Sequence, residues 1–143
     1  MAKPQQTIFY SIEESIKSYR QFAQKNITNN GFDITIDQGL ILSIIEENED
    51  ISQKMISEMA FKDHASVTRI IELLVKRNFL QRNFNASDRR RFSLSLTEDG
   101  KNILKQMEPI VNLNRKSALE GVSVEELEIL KNILGKITAN CKK

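Results

Sequence analysis

Cysteine appears once in 143 residues, at Cys141, which rules out an intramolecular disulfide framework and fits a reducing compartment. Histidine is equally scarce. With His64 as the single copy, a zinc-sensing site built from several His and Cys ligands is not expected. Two prolines and five glycines are too few to mark an interdomain linker, and no repeat or low-complexity tract interrupts the chain. Long apolar runs are missing too. The stretches Leu40–Ile45 and Ile70–Val75 are broken by Ser43 and Glu72, and neither approaches the ~18 residues of a membrane span. The opening residues Met1–Thr7 lack the apolar centre of a signal peptide. No Gly-rich phosphate loop, metal-ligand cluster or nucleophile–base pair is visible, and His64 with Ser66 has no orienting third group. The expectation is one cytoplasmic domain over 1–143, with no catalytic residue, no metal, no cofactor and no membrane partner.

What is present is an ordinary globular composition, 40% hydrophobic and 28% charged, with an uneven charge distribution. The net charge is only +2, yet residues 62–91 hold eight basic side chains against three acidic ones. That segment therefore carries a surplus of five, and the rest of the chain is three negative. A basic segment in an otherwise acidic chain is the footprint of a polyanion-binding face, or else a solvated surface that happens to be basic.

Periodicity divides the chain into elements. Ile8, Ile12, Ile16, Tyr19, Ala23 and Ile27 recur at three- and four-residue steps, predicting a helix over about 8–28 that Asn29-Asn30-Gly31 ends. Thr35-x-x-Gln38 is a capping box opening a second helix to about Glu47. Ser52 caps a short third helix to Ala60, and Asp63 a fourth from His64 to about Arg77. Two helices separated only by Phe61 and Lys62 form a helix-turn-helix signal. The period then changes to two, with Phe92, Leu94 and Leu96 alternating with Arg91, Ser93 and Ser95. Leu80–Phe84 pairs with that strand across a loop of Asn85–Arg90, giving a two-stranded wing with Arg89, Arg90 and Arg91 at its tip. Thr97 caps a fifth helix, and Ser123-x-x-Glu126 is a capping box opening the last. The predicted fold is mainly α with a small two-stranded β wing. The winged helix-turn-helix, about 35–100, is flanked by N- and C-terminal helices at about 8–28 and 98–140.

Such an arrangement points to double-stranded DNA. The major groove, about 12 Å wide, admits one helix that presents short polar or basic side chains at its entering end. Lys62, His64, Ala65, Ser66, Thr68 and Arg69 supply that end. Arg69 has the reach for a guanine edge, and Thr68 suits a phosphate, a thymine methyl or a back-bond within its own helix. The wing arginines Arg82, Arg89, Arg90 and Arg91 suit a narrow minor groove. Asp88 is the expected brace that pairs with one of them and shapes the wing. Phe61 and Phe79, flanking the fourth helix, are expected in the core. The terminal helices carry more apolar surface than a small wing domain covers, which predicts a homodimer.

Thr35-x-x-Gln38, Ser66-Val-Thr-Arg69, Leu73-x-x-Lys76-Arg77, Leu80-x-Arg82, Asp88-Arg-Arg90 and Leu96-Thr-x-x-Gly100 follow in an order and spacing that resembles the MarR family of transcription regulators. The resemblance implies a triangular homodimer whose terminal helices form the dimerisation region. It implies that the fourth helix reads the major groove, that Arg89 or Arg90 enters the minor groove, and that a small phenolic or anionic effector releases DNA. The family's usual glycine is replaced by Asn78, which also accepts a left-handed helix end. The competing reading is a winged-helix protein–protein interaction module, which would have little need of an arginine-rich wing.

Overall fold

The computed structural model describes residues 1–85 and 88–143; the side chains of residues 85 and 88–91 lie outside that description. A short 3-10 turn, Pro4–Gln6, leads into α1 (Ile8–Asn29), α2 (Ile36–Glu47), α3 (Gln53–Ala60) and α4 (His64–Lys76). The strands β1 (Leu80–Asn85) and β2 (Asp88–Leu96) follow, then α5 (Glu98–Ala118) and α6 (Val124–Cys141). Helix starts follow local chemistry. Thr35, Ser52, Asp63, Thr97 and Ser123 each accept a backbone N–H from the first turn of their helix, and Thr35–Gln38 and Ser123–Glu126 close reciprocal capping boxes. Two helix ends take the left-handed conformation where the sequence suggests it: Gly31, which has no Cβ, closes α1 at φ 86°, and Asn78, with its short polar side chain, closes α4 at φ 64°.

The core lies under the helix-turn-helix. Five residues of α2, namely Gly39, Ile41, Leu42, Ile44 and Ile45, are buried, so this helix is surrounded on most sides. Ile56 and Ala60 of α3, Val67, Ile71 and Leu74 of α4, and Leu80, Leu94 and Leu96 of the ribbon complete the cluster. Met107 of α5 and Ile27 of α1 join it from the far side, and the half-buried Asn26, its Nδ2 donating to Oδ1 of the buried Asn114 at 2.8 Å, ties α1 to α5.

The ribbon is antiparallel with Leu80 opposite Leu96, Arg82 opposite Leu94 and Phe84 opposite Phe92. Its other face carries Gln81, Asn83, Ser93 and Ser95, where Gln81 and Asn83 both donate to Ser95 Oγ. Both strands run further than the polar loop Asn85–Arg90 suggested. Asn85 still pairs with Asp88, so the backbone of Asp88–Arg91 belongs to β2 rather than to a loop. Ladder pairing here overrides the turn signal of an Asn/Ser/Asp-rich stretch.

Gly100, the third residue of α5, marks where this helix touches the start of β1. A Cβ there would sit 2.2 Å from the carbonyl oxygen of Phe79. That carbonyl also accepts the Thr97 N–H at 3.1 Å, while Thr97 Oγ1 donates to the Asn78 carbonyl at 2.6 Å. The Leu96-Thr-x-x-Gly100 pattern is therefore the joint that seats the ribbon on α5. In contrast, α6 buries none of its residues.

Candidate nucleic-acid interface

The turn between α3 and α4 is closed by two backbone bonds. Lys62 N–H donates to Ser57 O at 3.0 Å and Phe61 N–H to Glu58 O at 3.3 Å, with Phe61 left-handed at φ 55°. This helix-ending motif usually employs glycine at the left-handed position. The expectation that Phe61 is core is overturned, because its side chain is 93% exposed. The inward positions on either side of the turn are taken by Ala60 and Val67, both buried. Phe79, at the other end of α4, packs partly against the core as expected.

Helix α4 has two chemically distinct sides. Val67, Ile71 and Leu74 face the core, and His64, Ala65, Arg69, Glu72, Leu73 and Lys76 are exposed. Asp63 holds the entering end: Oδ1 accepts Ser66 N–H at 2.8 Å and Oδ2 accepts Ser66 Oγ–H at 2.9 Å. Those bonds, the backbone one first, keep the Asp63 carboxyl below the usual range, and Arg69 adds a smaller pull. Thr68 Oγ1 donates back to the His64 carbonyl at 2.9 Å. Gln53, the first residue of α3, donates its side-chain amide to Thr68 Oγ1 and lies 3.2 Å from His64 Nε2. Gln53 thus bridges both helices at their N-terminal ends.

Of the residues singled out in the sequence, His64, Ala65 and Arg69 lie together on the exposed side of α4, with Ser66 and Thr68 half-buried beside them. Lys62 is engaged elsewhere. Its Nζ is 2.9 Å from Asp37 Oδ2 at the start of α2, and Arg20 of α1 bonds the other carboxylate oxygen. Burial pushes the Asp37 carboxyl up, but the two cations outweigh it and hold the group below its ordinary value. Arg82 is exposed, with its guanidinium 5.4 Å from the Phe92 ring centre, a cation–π distance that fixes its position along the ribbon. The side chains of Asp88, Arg89, Arg90 and Arg91 lie outside the described residues, so the brace and the minor-groove contacts carry no geometry here.

Gln53, Arg20 and Asp37 were missed by sequence reasoning. Each acts across a long separation in the chain, and nothing in its local pattern signals that role.

A second feature lies apart from α4. A cavity of about 840 Å³ opens between α1, α2 and α5, bordered by Tyr19, Arg20, Ser43, Leu104, Met107 and Asn112 among others.

Two helices at a tight turn, the second exposing His64, Arg69 and Lys76 beside Glu72 and Leu73, followed by a two-stranded ribbon, define a winged helix-turn-helix. A model of the MarR family matches residues 32–91, which run from just before α2 into β2. A Listeria innocua protein of unknown function is 31% identical, with a TM-score of 0.71 over 93% of this chain and 91% of that one. Staphylococcus aureus MepR, in a structure with DNA, is 23% identical with a TM-score of 0.83, covering 94% of this chain and 98% of that one. Bordetella bronchiseptica BpsR, in a structure concerned with regulation of its DNA binding by 6-hydroxynicotinic acid, is 20% identical with a TM-score of 0.85 over 96% and 97%. The last two likenesses establish the shared fold. The chain belongs to the MarR family. Among the described residues, no helix is long and apolar enough to cross a membrane.

Proposed function

We propose that this protein is a sequence-specific DNA-binding transcription regulator that acts as a homodimer on a pseudo-palindromic operator. It works as a repressor released by a small ligand. The observation that carries this reading is the division of α4: three apolar residues inward, and His64, Ala65 and Arg69 outward at the end nearest the turn. The ribbon follows α4 directly in the chain, with Arg82 in β1 and Arg89, Arg90 and Arg91 in β2. Helix and ribbon address adjacent grooves from one side, and the MepR–DNA structure with the same fold supports that use.

The dimer rests on uncovered apolar surface. Ile8, Phe9 and Ile16 of α1 and Val124, Ile129, Leu130 and Ile133 of α6 are exposed in the protomer. Ile103, Leu104, Met107, Ile110 and Val111 of α5 pack on the protomer's own core, so the uncovered surface lies mainly on α1 and α6. Exposed apolar area on that scale marks an interface. Ligand response is supported by the cavity between α1, α2 and α5, within the ~300–1,000 Å³ of small-molecule sites. Tyr19 on its border suits a phenolic ligand, while the cations Arg20, Lys101, Lys105 and Arg115 stand there with Glu46, Glu47, Glu98 and Glu108. Regulation of BpsR DNA binding by 6-hydroxynicotinic acid, a hydroxylated aromatic acid, supports the same class.

Selection of duplexes from a random pool by the purified protein tests the reading. Enriched duplexes should contain two inverted half-sites centred about one helical turn, roughly 34 Å, apart. No enrichment over the starting pool would reject DNA recognition and favour a protein-interaction role. Ile129→Glu combined with Ile133→Glu should give a monomer in sedimentation, and an unchanged dimer would move the interface away from α6.

A further inference from the structure

Two hydroxyl groups stand at the entering end of α4, and both have their single proton engaged within the protein. Ser66 Oγ donates to Asp63 Oδ2 at 2.9 Å, and Thr68 Oγ1 donates to the His64 carbonyl at 2.9 Å. A hydroxyl has one proton to donate and two lone pairs to accept with. Phosphate oxygens only accept, so neither side chain can donate to the DNA backbone without first breaking its internal bond. For Ser66 that exchange gains nothing. One charge-assisted bond would replace another, and the Asp63 carboxylate would be left uncovered beside an incoming phosphate. For Thr68 the hydroxyl is held from both sides, since Gln53 of α3 also donates to it.

We propose that Ser66 and Thr68 read base edges rather than grip the backbone, Ser66 as an acceptor and Thr68 through its methyl group. The proposal rests on the DNA-binding reading above and deepens it. In the major groove adenine N6 and cytosine N4 carry donor amines, whereas guanine presents N7 and O6, both acceptors. A Ser66 oxygen restricted to accepting therefore favours adenine or cytosine at its position and is repelled by guanine. Thr68 packs its methyl on the C5-methyl of a thymine.

The test uses the duplex enriched by the native protein and four proteins of verified helix content: native, Thr68→Val, Thr68→Ser and Ser66→Ala. Valine keeps the methyl and removes the hydroxyl; serine does the reverse. Thr68→Val should bind within about twofold of native, and Thr68→Ser about fourfold more weakly, the worth of one buried methyl. Replacing the contacted thymine by deoxyuridine should cost native and Thr68→Val proteins about fourfold and leave Thr68→Ser unchanged. Ser66→Ala should lose discrimination against guanine at one operator position. Valine as weak as serine at position 68, or equal loss by Ser66→Ala on every sequence, would overturn the proposal while leaving DNA binding intact. A native protein that enriches no duplex would overturn both.

Discussion

Gly100→Ala probes the joint between α5 and the ribbon, and its cost follows from one distance. The added Cβ would lie 2.2 Å from the Phe79 carbonyl oxygen and 3.1 Å from its carbon. Carbon and carbonyl oxygen normally approach no closer than about 3.3 Å, so the two segments must part by roughly 1 Å. The opposing groups are backbone, and the Phe79 carbonyl is pinned by the Thr97 N–H. A side-chain rotation cannot relieve the clash. Overpacking of this kind costs about 1–3 kcal/mol, and a weakened Thr97–Phe79 bond adds about 0.5–1.5 kcal/mol. Alanine's better helix propensity offsets at most about 1 kcal/mol. The net expectation is a loss of about 1–3 kcal/mol, read from urea unfolding at one fixed protein concentration because a dimer's stability depends on it. Gly39→Ala is the matched control. Its Cβ meets only the terminal methyl of Met107, at 3.4 Å, which a flexible side chain can yield. That variant should be unchanged or up to about 1 kcal/mol more stable. A Gly100→Ala protein as stable as native, with Gly39→Ala behaving as expected, would refute the steric account.

Phe61→Gly should raise stability by up to about 1 kcal/mol, because a left-handed Phe costs about 1–2 kcal/mol that glycine's greater unfolded entropy only partly cancels. Its exposed ring contributes no burial to set against this, and a destabilised variant in urea unfolding would show that the ring packs on something. Stability should also fall in acid. Asp37 and Asp63 have folded values below their unfolded ones, so each contributes stability above the ordinary carboxylate range, near pH 4, that is lost as pH falls through the lowered folded value. Urea midpoints should hold between about pH 7 and 5 and drop below about pH 4. Asp37→Asn should flatten part of that drop, and an unaltered acid profile would remove Asp37 as a contributor.

Much of the fold is legible in the sequence because its signals are local. The caps at Thr35, Ser52, Asp63, Thr97 and Ser123 act on amides within three residues of themselves, and all five start helices. Asn78 is left-handed for the reason its side chain suggests. What escapes is set at a distance. Arg20 meets Asp37 across seventeen residues and Gln53 meets Thr68 across fifteen, and no periodicity encodes such pairs. Phe61 misleads because an aromatic residue beside a helix resembles core, whereas the backbone geometry of a tight turn puts it outside. The wing misleads in a different way. A polar stretch reads as loop, yet the ladder continues through Asn85 and Asp88.

The central claim is that the exposed side of α4 reads DNA sequence, and Arg69→Ala tests it most directly. Binding is measured on the enriched duplex and on a scrambled one of equal length, at the same salt. Loss of one good base contact predicts weakening by about 1–3 kcal/mol on the enriched duplex and little change on the scrambled one. Equal weakening on both, or none on either, would contradict the claim.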